Sequence, residues 1–112
     1  MNGQDIFWFG VRSLCLFGKK KDGVNVYEER ILVFSGCDAE GKEALEKAGD
    51  EVEQYATEIC KTSVFHPRLD AYLQDGDPLI EGYEVWSQLY ESVLDIDAFW
   101  EARHGEYTFR PD

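Results

Sequence analysis

Two long apolar runs joined by a short charged loop constrain the fold of this chain most strongly. Residues 6–17 and 24–35 are both rich in β-branched and aromatic side chains, which favour β-strands. Between them, residues 18–23 read Gly-Lys-Lys-Lys-Asp-Gly, a polar loop with a glycine at each end. This combination predicts an antiparallel β-hairpin.

The pairing within this hairpin can be predicted from the charges. A register symmetric about the loop sets residue i opposite residue 41 − i, which places Arg12 beside Glu29. That ion pair then falls inside an otherwise apolar stripe, where each charge relieves the burial of the other. A slip of one residue would lose the match. Both faces of the hairpin carry large apolar side chains, so we expect other elements to cover parts of both.

After Ser35-Gly36 the hydrophobic period becomes helical. Asp38 can cap a helix that runs to about Cys60. Its apolar residues recur at steps of three and four and form one stripe: Ala44, Leu45, Ala48, Val52, Tyr55, Ala56 and Ile59. The small alanines would let this helix lie close to the sheet.

The segment from residue 61 to residue 92 mixes several patterns. His66-Pro67-Arg68 can open a short helix, although a strand over residues 66–74 stays open as the alternative. The sequence Asp75-Gly76-Asp77-Pro78 predicts a turn. The run Ile80–Ser92 then alternates and predicts a third strand. Its predicted faces are Tyr83, Val85 and Leu89 on one side, and Glu84, Trp86, Gln88 and Tyr90 on the other.

The C-terminal region predicts a last short helix. Asp95 or Asp97 can cap it, His104-Gly105 would end it, and Tyr107–Phe109 can add an edge strand. The predicted fold class is therefore α+β in a single domain, residues 1–112. An antiparallel sheet made of the hairpin and a later strand carries one long helix and a short C-terminal helix.

The negative charge is concentrated in two regions. The chain has 23 Asp and Glu against 11 Lys and Arg, a net charge of −12. Residues 1–37 are close to neutral, residues 38–60 have a net charge of −6, and residues 69–102 carry nine acids and no Lys or Arg. Such acidity argues against direct nucleic-acid binding, which depends on clustered cations. It favours either solubility or recognition of a basic protein partner.

We predict that the partner binds through the acidic C-terminal half. Trp86 and Tyr90 would supply buried area and the neighbouring carboxylates a charged rim, although a helix that covers these rings is the alternative. The candidate partner-binding residues are Asp70, Asp75, Asp77, Glu81, Glu84, Trp86, Tyr90 and Glu91.

No catalytic, metal or cofactor motif stands out. The candidate ligands Cys15, Cys37, Cys60, His66 and His104 show neither C-x-x-C nor H-x-x-x-H spacing, so we predict no metal site and no cofactor. An odd number of widely spaced cysteines is no disulfide framework, and we expect buried free thiols. No residues suggest an active site, so we predict a protein that is not an enzyme.

The first apolar run does not resemble a targeting segment. Asp5 precedes Ile6–Phe17 and the lysines follow it, which is the reverse of a signal peptide. The run is also too short to span a bilayer. We therefore expect a cytoplasmic protein with no membrane partner, present as a monomer or a weak dimer.

Several short motifs resemble a family of small bacterial proteins classed as a domain of unknown function. They are Trp8-Phe9-Gly10-Val11-Arg12, Tyr27-Glu28-Glu29-Arg30-Ile31, the acidic helix with Ala44, Ala48 and Ala56, and Gly82-Tyr83-Glu84-Val85-Trp86-Ser87. The resemblance covers about residues 8–92 and implies an α+β fold with a hairpin, a long helix and further strands. It implies no catalytic residues. In size and charge alone, the chain is also similar to bacterial immunity proteins, which protect a cell from toxins.

Three functional hypotheses follow. The first is an immunity or inhibitor protein that neutralises a basic toxin domain acting on nucleic acid. The second is a small-molecule-binding or enzymatic domain, with a pocket lined by Tyr27, Tyr55, Trp100 and carboxylates. The third is a phage-type DNA mimic, whose carboxylates would be spaced like phosphates.

Overall fold

A four-stranded antiparallel sheet with one helix on each face forms the fold. The structure is a computed structural model that describes residues 5–74 and 80–108, with side chains up to residue 103. Its elements are β1 (Phe7–Lys19), β2 (Asn25–Gly36), α1 (Lys42–Gln54), a π-helical turn (Tyr55–Ile59), β3 (Asp70–Gln74), β4 (Glu84–Ser92) and α2 (Ile96–Thr108). The strand order is β3-β1-β2-β4. The predicted α+β class, with an antiparallel sheet, a long helix and a C-terminal helix, is confirmed.

The N-terminal hairpin forms as predicted, but its register differs by two residues. Arg12 lies opposite Ile31 and not opposite Glu29. The turn is tighter than the predicted loop: the N–H of Lys20 donates to the carbonyl of Val24 at 2.9 Å, and Gly23 has a φ of 86°. Glycine adopts this left-handed conformation without strain.

The error in register leaves the predicted faces intact. Because side chains alternate with a period of two, an even shift keeps every residue on its side of the sheet. Arg12 and Glu29 therefore become diagonal neighbours on one face, and their side chains still form an ion pair. The opposite charges of Arg12 and Glu29 therefore predicted correctly that the two residues share a face of the sheet, but not which residues lie directly opposite each other.

Helix α1 covers one face of the sheet. Its buried Ala44 and Ala48 pack against a cluster of buried strand residues: Phe9, Val11, Leu32 and Phe34. The carboxylate of Asp38 accepts hydrogen bonds from the backbone N–H groups of Lys42 at 2.7 Å and Glu43 at 3.1 Å. These bonds lower the pKa of Asp38 because they stabilise its ionised form. Helix α1 begins later than predicted, with Gly41 at its N-cap position, but the Asp38 carboxylate does supply the predicted hydrogen bonds to its first N–H groups.

Helix α2 covers part of the opposite face. Phe99 and Trp100 pack on Leu14 and Tyr27, and the rings of Tyr27 and Phe99 stack with centroids 4.6 Å apart. The carboxylate of Asp95 accepts the N–H of Ala98 at 2.8 Å and caps the helix. The packing of these large rings holds the helix at its N-terminal end.

The predicted end of this helix is wrong. Helix α2 continues through His104-Gly105 to Thr108, so Tyr107 is helical where an edge strand is predicted. A glycine inside a helix costs only about 1 kcal/mol relative to alanine, which packing elsewhere along the helix can offset. Phe109 lies outside the described residues.

Residues 70–74 form a strand, so the short helix predicted after His66 is wrong. The alternative of a strand over residues 66–74 is correct for its second half. β3 pairs with Trp8–Arg12 of β1. The edge of β1 offers a row of backbone donors and acceptors, which a strand can satisfy and a helix cannot. The predicted turn at Asp75–Pro78 lies outside the described residues.

A buried ionic network joins the sheet to α2. The guanidinium of Arg12 contacts the carboxylate of Glu29, and it lies 2.9 Å from that of Asp70. Its Cζ also lies 4.0 Å from the ring centroid of Trp100. Arg103 of α2 contacts the other oxygen of Glu29 at 3.0 Å. Since the side chains of Arg12 and Glu29 are both 0% exposed, neither charge can be solvated if its partner is removed.

We expect Arg12→Ala to lower the free energy of unfolding by about 3–5 kcal/mol, because it leaves the Glu29 carboxylate buried with too little compensation. Urea denaturation measures the loss. The matched control is Arg68→Ala, which removes an ion pair to Glu101 with side chains 54% and 65% exposed. That change should cost less than about 1 kcal/mol. Equal losses in the two variants would contradict the structural role of the network.

His66 is held in one tautomer on the same face. Its ring stacks on Trp100 with centroids 4.6 Å apart. Its Nδ1 accepts the backbone N–H of Arg68 at 3.1 Å, so the proton lies on Nε2, which faces the Asp97 carboxylate at 3.1 Å. Burial lowers the pKa of His66, although Asp97 opposes the shift. The imidazole is therefore neutral at neutral pH.

A lowered pKa in the folded state makes the stability depend on pH. As the pH falls below the unfolded-state value of about 6.5, the unfolded chain binds a proton that the folded chain does not, so stability falls. We expect the unfolding free energy of the wild type to decrease between about pH 7.5 and about pH 5.5. His66→Gln should show a shallower decrease in the same urea titrations. An identical slope in both proteins would refute the assignment.

Candidate functional site

Strand β4 is an exposed edge of the sheet. It pairs with β2 on one side, and no strand of the described residues pairs with its other side. Seven of its nine residues are exposed, and only Tyr90 and Ser92 are partly covered. An uncovered edge strand presents a row of backbone N–H and C=O groups that another chain can pair with.

A bulge in β4 changes the predicted faces of this strand. Trp86 lies opposite Ile31, on the face that α2 partly covers, whereas Glu84 lies opposite Leu32, on the α1 face. The extra residue, Val85, reverses the alternation between them. The prediction that Glu84 and Trp86 share a face is therefore wrong.

Large apolar side chains are exposed along β4. The exposed fractions are 52% for Val85, 36% for Trp86 and 48% for Leu89. Just before the strand, Ile80 and Tyr83 are also exposed, at 71% and 56%. Exposed apolar side chains on both faces of an uncovered edge strand are typical of an interaction surface. We call the exposed part of β4, with Val85, Trp86 and Leu89, the β4 surface.

Three of the predicted acidic residues border this surface, and each has a cation of its own chain nearby. Glu81 lies 3.3 Å from Lys47, Glu84 lies 3.9 Å from Arg30, and Glu91 lies 2.9 Å from Lys20. Although burial opposes the shift, hydrogen bonds from Ser35 and Lys47 lower the pKa of Glu81. All three carboxylates keep about half of their surface exposed, at 45%, 44% and 57%.

The other predicted binding residues lie elsewhere. Asp70 accepts hydrogen bonds from Arg12 at 2.9 and 3.2 Å and belongs to the ionic network. Tyr90 is half-buried against Phe99, and the guanidinium of Arg103 lies 4.6 Å from its ring centroid. Helix α2 thus covers Tyr90, as the alternative interpretation of this strand allows, but leaves Trp86 partly exposed. Asp75 and Asp77 lie outside the described residues.

A second acidic surface lies on the outer side of α1. Its four exposed carboxylates form no ion pair within the described part of the chain: Glu46, Asp50, Glu53 and Glu58. Their spacing of four, three and five residues follows the helix and the π-helical turn. The acids of α1 are therefore less neutralised than those that border the β4 surface.

The hypothesis of a small-molecule pocket requires Tyr27, Tyr55 and Trp100 to lie together. In the structure, the sheet lies between Tyr55 and the other two. Tyr27 and Trp100 pack between the sheet and α2. Tyr55 packs on the α1 side, beside Cys15 and Val52. These three rings therefore do not line one cavity.

Two cysteines that are distant in sequence meet under the π-helical turn. The Sγ atoms of Cys15 and Cys60 lie 4.0 Å apart. The ligand atoms of these cysteines and of Glu28 all lie within 4.8 Å of one another. Spacing rules missed this cluster because the ligands come from β1, β2 and the end of the helix. The only signal was that Cys15 alternates with Phe9 and Val11, on the face that the helix covers.

The backbone around Cys60 is irregular. Its N–H donates to the carbonyl of Tyr55 at 3.0 Å, which is the wider hydrogen-bonding step of a π-helix. Lys61 and Ser63 follow with φ values of 61° and 56°, in the left-handed region that non-glycine residues rarely adopt. Such conformations cost about 1–3 kcal/mol each, and they concentrate at functional sites.

The cysteines form no nucleophilic pair with His66. Cys60 packs with Val52 and Ala56 on the α1 side, whereas His66 stacks on Trp100 on the other side. Burial raises the pKa of Cys15 strongly and that of Cys60 as well, so both thiols are protonated at neutral pH. A protonated thiol is a poor nucleophile.

Comparisons of the chain with protein-family models, curated proteins and solved structures find no match. The resemblances drawn from the sequence therefore stay predictions. Within the described residues, neither helix is both long and apolar enough to cross a membrane.

The three thiols should differ in reactivity. Cys37 is exposed, Cys60 is partly exposed and Cys15 is buried. We expect iodoacetamide to modify Cys37 first, and Cys15 only after denaturation, because alkylation needs access to the sulfur. Mass spectrometry of timed samples measures the order. Cys37→Ser should remove the fastest phase, and modification of Cys15 as fast as Cys37 would contradict the burial.

Proposed function

We propose that the protein is a non-enzymatic binding protein that neutralises a basic protein partner, as a cytoplasmic immunity or inhibitor protein acting on a cationic toxin domain. The supporting observation is the β4 surface, an uncovered edge strand with apolar side chains on both of its faces. The acidic character of the chain, with a net charge of −12, favours a basic partner.

The edge of β4 can supply both affinity and register. A partner strand that pairs with it would satisfy the open backbone groups, which is the mode called β-strand addition. Trp86 is the natural anchor, because tryptophan contributes more binding energy than most residues at interfaces. Val85, next to it in the bulge, and Leu89, on the other face of the strand, add exposed apolar area.

The acids around β4 contribute mainly to the rate of association. Glu81, Glu84 and Glu91 already contact Lys47, Arg30 and Lys20, so a partner's cations would replace existing ion pairs. Such exchange adds little net affinity. The long-range field of a strongly acidic chain still attracts a basic protein and accelerates the encounter.

Binding to cationic toxin domains encoded beside this protein tests the proposal. We expect a complex whose affinity falls as salt is added, because salt screens the attraction. Trp86→Ala should weaken the complex by about 2 kcal/mol, roughly 30-fold, measured by isothermal titration calorimetry. The matched control is Ile59→Ala, which truncates a side chain that is 64% exposed on the π-helical turn.

The outcomes separate the possible docking surfaces. Absence of binding to every such toxin, or affinity indifferent to salt, would refute the electrostatic proposal. Unchanged binding of Trp86→Ala would refute the β4 surface as the docking site.

The acidic outer side of α1 favours a DNA mimic as the second candidate function. Its carboxylates follow one another along the helix and are exposed without ion pairs in the described structure. In that case a DNA-binding protein would dock on α1, and the double variant Asp50→Asn/Glu53→Gln would weaken binding more than Trp86→Ala does. The proposal that β4 is the docking site predicts the opposite order.

A further inference from the structure

We propose that Cys15, Cys60 and Glu28 form a binding site for one thiolate-preferring divalent cation, with Zn²⁺ as the best match. This site lies beneath the π-helical turn and is separate from the β4 surface. It rests on the geometry of the three side chains and on the unbalanced charge of the carboxylate.

The spacing of the sulfurs suits a metal ion. Two thiolates at about 2.3 Å from a tetrahedral Zn²⁺ ion lie about 3.8 Å apart. The Sγ atoms of Cys15 and Cys60 are 4.0 Å apart, so a shift of a few tenths of an ångström would complete this geometry. The third donor, a carboxylate oxygen of Glu28, is within 4.8 Å of both sulfurs. The three donor atoms are thus close enough together to bind one ion.

The Glu28 carboxylate has a reason to bind a cation. Its residue is only 9% exposed, and the described structure gives it no ion pair. Its hydrogen bond comes from the hydroxyl of Tyr55, which donates at 2.6 Å. Buried carboxylates are ordinarily paired with a cation or coordinate a metal. A divalent ion between Glu28 and the thiols would supply that missing charge.

Neighbouring residues can orient and balance the site. The hydroxyl of Tyr55 holds one oxygen of Glu28 and leaves the other available as a ligand, as groups around metal sites commonly do. The guanidinium of Arg30 lies 3.6 Å from the Tyr55 ring centroid. Two thiolates and one carboxylate exceed the charge of a divalent cation by one, and Arg30 partly offsets the excess.

Binding would exchange protons for the metal. Cysteine binds a metal ion as the thiolate, so Cys15 and Cys60 must each give up a proton. Two metal–sulfur bonds and one metal–oxygen bond form, and two protons pass to the buffer. The cation would enter from the side of Cys60, which is partly exposed, and a water would complete four-coordination. Affinity should therefore fall as the pH is lowered.

Titration of the full chain with Co²⁺ under a non-chelating phosphine reductant is the primary test. Co²⁺ bound to thiolates absorbs in the near ultraviolet and reports ligand type directly. We expect one Co²⁺ per chain with this band, and its displacement by Zn²⁺. Zn²⁺ should also raise the melting temperature of the protein, because it binds the folded state. Absence of the band in the wild type would overturn the proposal. Formation of a disulfide between Cys15 and Cys60 under oxidising conditions would not rescue it.

Single variants identify the ligands. Cys60→Ser and Glu28→Gln should each weaken Co²⁺ binding at least about 10-fold, and Tyr55→Phe should keep the thiolate band but weaken binding about 10- to 100-fold. Cys37→Ser is the matched control and should bind as the wild type does, because its thiol is exposed and outside the cluster. Circular dichroism establishes that each variant is folded. Wild-type affinity in Glu28→Gln, or loss of the band in Cys37→Ser, would overturn the assignment.

Discussion

The ion pair between Arg12 and Glu29 lies at the centre of the sheet, and most of the structure is arranged around it. It joins β1 to β2, Asp70 brings in β3, and Arg103 brings in α2. Since two fully buried charges are tolerated only when each has a partner, these elements must assemble together. Arg103 also contacts the ring of Tyr90, which connects the network to β4.

The sheet divides the molecule into two chemically different sides. On one side, α1 covers apolar strand residues together with the thiols of Cys15 and Cys60. On the other side, α2 covers the ionic network and the stack of Trp100 on His66. Both helices pack mainly over the two central strands, which leaves most of β4 uncovered. The same packing that buries the centre therefore creates the proposed docking surface at one edge.

Local patterns predicted much of this fold. The alternation of the hairpin, the helical stripe after Asp38 and the cap at Asp95 all depend on near neighbours, and all are present. The predicted register of the hairpin was wrong because the composition of the loop does not show that the chain turns tightly at Lys20–Val24. The predicted faces of Glu84 and Trp86 were wrong because β4 contains a bulge. A bulge depends on how the strand pairs with β2, and the alternation of residues within β4 does not reveal it.

The sequence by itself determined the strand period of the hairpin, the helical period of α1, the sides on which their apolar residues lie, and the regional distribution of charge. Only the tertiary structure decided which charges are neutralised. Asp70 is taken into the ionic network, whereas Asp50 and Glu53 on α1 remain unpaired within the described residues. It also decided that Cys15 meets Cys60 and Glu28. The reason is physical: periods report the local backbone, whereas ion pairs and ligand clusters depend on contacts between residues that are far apart in the chain.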